Sequence, residues 1–274
     1  MIDVPVGELM LMAAALAGAG AVAGLIGGLF GVGGGTVLVP ALFYAFAVLG
    51  VGGEGDLHVA VGTSLLTIVA TAWKSLATHR RHGVVDETVL RTWTPWIAFG
   101  AFVGAALAGI ASMEGLALVY GGCILLVAAQ MGLLPERITL RPDLPTGWGR
   151  RVVATTIGAL SAMMGVGGGS LGGMTMVLCG RPIHQAVATA SGFGLAIGVV
   201  AALGFVLFGW DAPGRPPLSL GYVNLPAAAI MAALTALTAP IGARLAHRLD
   251  RRVLRRAFAV YLLVTAASVV IKAL

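Results

Sequence analysis

Apolar residues fill most of the chain in long stretches, and short polar segments separate them. A helix needs about 20 apolar residues to cross the hydrocarbon core of a bilayer. Two pairs of apolar segments, 9–30 with 36–49 and 152–166 with 170–179, are each interrupted by glycines. The pattern predicts an all-α polytopic membrane protein with two broken helical hairpins and six full spans. The predicted spans are 58–78, 93–111, 115–134, 185–208, 222–245 and 254–272.

The two interruptions carry the same motif, Gly-Val-Gly-Gly-Gly followed by a hydroxyl residue. The first copy covers residues 31–35 and precedes Thr36, and the second covers residues 165–169 and precedes Ser170. Each glycine disfavours a continuous helix by roughly 1 kcal/mol. Irregular backbone at membrane depth is tolerated only where it faces protein or a water-filled cavity. We therefore expect each motif to form the apex of a re-entrant hairpin inside the bilayer.

The chain consists of two similar halves. Besides the glycine motif, residues 58–64 correspond to residues 184–190, and residues 104–108 correspond to residues 242–246, in the same order. The most polar stretch of the chain lies between the halves. We expect a first repeat over residues 1–134, a cytoplasmic linker over 135–151 and a second repeat over 152–274.

The charged residues set the orientation of these segments. Only 10% of the residues are charged, against about 25% in soluble domains. If the loops at 79–92 and 246–256, the turn at 180–184 and the linker are cytoplasmic, all 17 lysines and arginines except Arg215 and Lys272 lie at that side. Cytoplasmic loops of membrane proteins are enriched in these residues. The high pI is thus a topology signal, and we expect no nucleic-acid partner.

This topology places the two repeats in opposite orientations. Each repeat contains one hairpin and three full spans, and an odd number of crossings inverts the second repeat relative to the first. Inverted repeats with discontinuous helices that meet near the midplane are typical of secondary transporters.

Two Gly-Val-Gly-Gly-Gly hairpins in a protein with this number of spans resemble the TauE/SafE sulfite exporter family, also called the sulfonate and sulfite permease group. The resemblance covers nearly the whole chain and depends on the doubled glycine motif. It implies a transporter, not an enzyme, for small sulfur-containing anions such as sulfite, sulfonates or sulfoacetate, with export as the favoured direction. We expect it in the cell membrane, the inner membrane of a bacterium, without a cofactor or a metal. The particular anion, the direction of transport, a coupling ion and the oligomeric state remain open.

The glycine apices are the expected binding site. A broken helix presents free backbone N–H groups and the positive end of its dipole, and anions bind such ends. Glycine lets an oxyanion approach the backbone closely. The predicted ligands are Gly33, Gly34, Gly35, Thr36, Thr63, Ser64, Gly167, Gly168, Gly169, Ser170, Thr189 and Ser191. Alternatively, the glycines only permit close helix packing, and the hydroxyl groups bond carbonyls of their own helices.

Other residues near the span ends have simpler expected roles. His58 and His184 begin corresponding spans, and we expect them to anchor or cap these helices. Lys74 and Arg181 are predicted to extend toward the cytoplasmic surface.

Two other functions are consistent with parts of the sequence. A passive anion channel of the same architecture is one, and saturation of the flux would separate it from a carrier. An intramembrane serine hydrolase is the other, because residues 168–172 match Gly-x-Ser-x-Gly around Ser170. That motif needs a strand-to-helix turn, and Thr36 in the first repeat has no matching final glycine.

The chain has no P-loop for ATP and no acidic residue deep in a span for proton coupling.

Overall fold

A computed structural model describes residues 6–30, 35–48, 56–133, 141–246 and 251–273. These residues form ten helices and one two-stranded antiparallel hairpin. In chain order they are α1 Val6–Phe30, α2 Gly35–Val48, α3 Asp56–Arg81, α4 Glu87–Ile110, α5 Met113–Leu133, α6 Gly147–Met163, α7 Leu171–Leu178, α8 Ile183–Phe208, β1 Ser219–Leu220, β2 Val223–Asn224, α9 Leu225–Ala246 and α10 Arg251–Ala273.

Six helices in the described part of the chain, α3, α4, α5, α8, α9 and α10, are long and apolar enough to cross a membrane. The prediction of an all-helical polytopic membrane protein is confirmed, and the number of candidate spans equals the six predicted. The helices that follow the glycine motifs are short. With 14 residues in α2 and 8 in α7, they extend only about 21 and 12 Å at 1.5 Å per residue.

Glycines bring the first helix of each hairpin into backbone contact with a long span. A Cβ on Gly24 of α1 would meet the backbone of Thr235 in α9. A Cβ on Gly158 of α6 would meet the carbonyl oxygen of Ile97 in α4. Small residues at such positions let membrane helices approach closely. The α1–α9 and α6–α4 pairs therefore pack in the same way.

The β-hairpin was not predicted, and it covers one end of the bundle. Its register pairs Ser219 with Asn224 and Leu220 with Val223. Gly221 makes the turn at φ 56°, and the Tyr222 backbone N–H donates to the carbonyl of Phe205, at 3.0 Å. The span predicted from residue 222 consequently begins as a helix only at Leu225. Tyr222 lies in the hairpin turn, Val223–Asn224 form the second strand, and Asn224 also caps α9.

Candidate functional site

The start of α2, at Gly35, meets the second glycine motif in the core of the bundle. Residues 31–34, which include the predicted ligands Gly33 and Gly34, lie outside the described residues. Gly35, at the start of α2, packs against the second motif. A Cβ on Gly35 would lie 2.8 Å from the Val166 Cα and 3.1 Å from the Gly167 nitrogen. The start of α2 thus contacts the second apex directly.

The second apex consists of a helix end followed closely by a helix start. Gly165, at φ +65°, ends α6 in a Schellman motif: the Val166 N–H donates to the Ser161 carbonyl at 2.9 Å. The chain becomes helical again where the Gly172 N–H donates to the Gly168 carbonyl, also at 2.9 Å. The backbone N–H groups between them, at residues 169–171, have no acceptor among the described residues. They are the free donors of a helix N-terminus.

A cavity of about 820 Å³ reaches this apex from the side on which α3 ends. It lies between α1, α2, α3, α8 and α9. Three of the predicted ligands, Gly167, Gly169 and Ser191, line it together. The remaining polar lining comes from α3 and α9, namely from Thr71, Lys74, Ser75, Thr78, His79 and Thr235.

Three predicted hydroxyl ligands connect helices instead of lining this cavity. The Thr63 hydroxyl accepts the backbone N–H of Asn224, and the Thr189 hydroxyl accepts the backbone N–H of Asp86, both at 2.9 Å. The Ser64 hydroxyl donates to the carbonyl of Gly165 at 2.8 Å. Their role as ligands stays a prediction.

The two threonine contacts are equivalent. Asp86 caps α4 by accepting the N–H of Val89 at 3.0 Å, and Asn224 caps α9 by accepting the N–H of Ala227 at 2.9 Å. Each threonine therefore fixes the capping residue of a helix in the other half of the chain. Sequence reasoning missed both capping residues, since it considered the threonine hydroxyls only as ligands or as donors to carbonyls of their own helices.

The last three predicted ligands also lie beside the cavity and not on its wall. Thr36 is fully buried, and its hydroxyl has no hydrogen-bond partner among the described residues. Gly168 packs on Phe193 of α8. The Ser170 hydroxyl donates to the carbonyl of Gly167 at 3.4 Å. The role of these residues as ligands stays a prediction as well.

The two histidines occupy different environments. His58 is buried, and its Nε2 lies 3.0 Å from the carbonyl oxygen of Ala108 and 3.2 Å from that of Ala111. Carbonyls only accept, so Nε2–H donates and caps the C-terminal end of α4. The His58 ring also stacks on Tyr222, at 4.9 Å between centroids. His184, in contrast, is exposed at the start of α8.

The fold and the site together define the class of protein. Six candidate spans pack with the two short helices α2 and α7, and a cavity leads to the second glycine apex, which the start of α2 contacts. This is the architecture of a multi-pass membrane transporter.

Comparison with known proteins identifies the family. The family model described as "Sulfite exporter TauE/SafE" matches residues 16–269, and the chain belongs to this family. A probable membrane transporter protein of Haemophilus influenzae is 30% identical over 253 residues, 92% of this chain and 96% of that protein. One of Methanocaldococcus jannaschii is 24% identical over 251 residues, 90% of this chain and 91% of that protein. No solved structure matches the chain.

Proposed function

We propose that the protein is a secondary transporter that exports small sulfur-containing anions, such as sulfite, sulfonates or sulfoacetate. The observation that carries this proposal is the cavity that ends at Gly167 and Gly169. Next to it, the backbone N–H groups of residues 169–171 have no acceptor in the described part of the chain. The family's description as a sulfite exporter supports the choice of sulfur anions.

The chemistry of the apex suits an oxyanion. Three consecutive N–H groups at a helix start point along the helix axis and add to its positive dipole end. Gly169 has no side chain between these groups and the cavity. An anion bound there replaces hydration water by fixed donors, and hydrogen bonds to charged groups are worth about 1.5–3 kcal/mol each.

Several equivalent contacts support an inverted repeat. Thr63 binds the cap of α9 as Thr189 binds the cap of α4. The α1–α9 contact at Gly24 likewise corresponds to the α6–α4 contact at Gly158. With the basic loops in the cytoplasm, these pairs are related by inversion across the membrane plane.

The cavity favours a carrier over a channel. It is lined along α3 from Ile68 to His79, the half that the charge distribution assigns to the cytoplasm. On the other half of α3, every residue from Leu57 to Leu65 is buried. A site that is accessible from one side at a time fits alternating access. A membrane potential that is negative inside then drives anion export by about 2.3 kcal/mol per charge per 100 mV.

Thermal unfolding of the purified protein tests the proposal. Sulfite, sulfate, thiosulfate, taurine and sulfoacetate are screened as ligands, because a ligand at 100 times its Kd stabilises the folded state by about 2.7 kcal/mol. At least one sulfur anion should raise Tm and then show saturable flux into liposomes without ATP. If none of these anions stabilises or crosses, the proposal is refuted, whereas flux that never saturates would indicate a channel.

A further inference from the structure

One residue with a full charge lies on the described wall of the cavity. Among the described residues that line it, Lys74 is charged, and there is no aspartate, glutamate or arginine. In the described part of the chain no carboxylate lies within ion-pair distance of the Lys74 ammonium group; the ion pair that the structure shows is Arg80 with Glu87. The cavity consequently has a positive charge that no described side chain neutralises.

Lys74 lies on the polar face of α3. Thr71, Lys74, Ser75 and Thr78 follow the spacing i, i+3, i+4 and i+7, which places them on one side of a helix. All four line the cavity. The Ile68 side chain packs against Gly167 at the apex. Lys74 follows Ile68 by six residues along α3. This separation is about 9 Å along the helix axis, so the lysine lies between the apex and the cytoplasmic end of α3.

Four of the five hydroxyl groups on the described cavity wall, all except that of Ser75, already use their protons. Thr71 donates to the carbonyl of Ile68 at 3.1 Å, and Ser191 donates to the carbonyl of Ala188 at 2.6 Å. Thr78 and Thr235 also donate to carbonyls of their own helices. These oxygens offer lone pairs to the cavity, and an anion needs donors. An ammonium group supplies three donors and no acceptor.

We propose that Lys74 is the specificity-determining residue of the cavity, which binds the negative charge of the substrate and excludes cations and neutral solutes. The inference rests on the proposed anion transport and deepens it. It also revises the expectation that Lys74 merely extends toward the cytoplasmic surface.

Binding measurements on matched variants test this role. Calorimetric titrations with sulfite, methanesulfonate and sulfoacetate, at constant ionic strength, compare wild type with Lys74→Gln, Lys74→Arg and Arg81→Gln. Arg81 is exposed two turns further along α3 and does not line the cavity. We expect Lys74→Gln to weaken binding about tenfold or more, as for a lost charge-assisted hydrogen bond. The loss should be larger for dianionic sulfoacetate than for methanesulfonate, and Lys74→Arg should restore most of it.

Chemical rescue distinguishes the loss of the charge at position 74 from a general disturbance of the fold. Lys74→Cys is alkylated with 2-bromoethylamine, which attaches an aminoethyl group, or with iodoacetamide, which attaches a neutral group. Treated wild type controls for reaction at Cys123 and Cys179, both of which are buried. The aminoethyl form should recover binding, and the neutral form should not.

The outcomes distinguish the two proposals. An anion that stabilises wild type only in the thermal screen is titrated in place of these three. A wild type that binds none of the anions in either experiment refutes the proposed function, and the role of Lys74 is refuted with it. If wild type binds them and Lys74→Gln binds as tightly as Arg81→Gln, only the role of Lys74 is overturned. Equal recovery by both alkylated forms overturns it as well.

Discussion

Two neighbouring glycines of the second motif allow anion binding to be separated from helix packing. A Cβ on Gly169 would meet no atom within 4 Å, whereas a Cβ on Gly168 would lie 2.5 Å from the Phe193 Cβ and 2.8 Å from the Gly194 nitrogen. Neither glycine has a positive φ, so neither position excludes a side chain conformationally. We predict that Gly169→Val impairs binding without unfolding the protein, and that Gly168→Ala mainly lowers stability.

The expected magnitudes follow from these contacts. A valine at position 169 projects into the cavity and covers the N–H groups at the start of α7. Loss of one hydrogen bond to a charged group costs about 1.5–3 kcal/mol, which raises Kd roughly 10- to 150-fold. At position 168 the added methyl group must displace backbone atoms, and overpacking of this kind costs about 1–3 kcal/mol of stability.

The assay is thermal unfolding in detergent with and without the anion that stabilises wild type. Gly169→Val should unfold near the wild-type temperature but require a correspondingly higher anion concentration for the same shift, and Gly169→Ala should be intermediate. Gly122→Ala is the matched control, because a Cβ at Gly122 in α5 also meets no atom within 4 Å and lies away from the cavity. Wild-type affinity in folded Gly169→Val would refute a binding role for this apex.

Two further predictions concern the fold. Thr63→Val and Thr189→Val should each lower the free energy of unfolding by about 1–3 kcal/mol, since each removes the acceptor of a backbone N–H. The N–H is buried at Asn224 and half-buried at Asp86, so Thr189→Val should lose less; thermal unfolding measures this, and the matching serine variants should lose less than the valine variants. Engineered cysteines at Asp143 and Gly214, both exposed, should react with an impermeant maleimide from the cytoplasmic and the external side respectively. Labelling at position 143 from outside intact cells would refute the inverted topology.

Hydrophobic patterning and charge were sufficient to predict most of the helices. The predicted span 185–208 appears as Ile183–Phe208, and 254–272 appears as Arg251–Ala273. Long apolar runs bounded by prolines and arginines leave few alternatives to a helix, because backbone groups without hydrogen-bond partners are too costly in lipid. The glycine motif also marked the break between α6 and α7 correctly.

The partners of the hydroxyl groups, the β-hairpin and the position of Lys74 could not be predicted from the sequence, because they depend on tertiary contacts. Thr63 and Ser64 are adjacent, yet one accepts from Asn224 and the other donates to Gly165, 161 and 101 residues away along the chain. Nothing local specifies such partners. The β-hairpin has only two residues per strand and depends on contacts with α8. Lys74 lies near a span end in the sequence, and only the packing of α3 against α8 and α9 places it on a cavity wall.

The polar face of α3 has no counterpart in the proposed second repeat, and this asymmetry leads to a last prediction. The proposed repeat aligns Thr63 with Thr189, so Thr71, Lys74, Ser75 and Thr78 correspond to the apolar residues Ile197, Val200, Ala201 and Gly204. An outward-facing cavity built by inversion would therefore lack the lysine and its neighbouring hydroxyls.

We predict that the apparent KM for the transported anion is lower on the cytoplasmic side than on the external side. In a carrier without a coupling ion, equal concentrations on both sides at zero potential give no net flux, so the ratio Vmax/KM must be the same in both directions. A lower cytoplasmic KM must then accompany a proportionally lower Vmax from that side. Zero-trans fluxes through oriented protein in liposomes measure both constants, and Lys74→Gln should reduce the difference. Equal KM values on the two sides of wild type would show that the charged face of α3 does not set the affinity, and unequal Vmax/KM ratios would require a coupling ion.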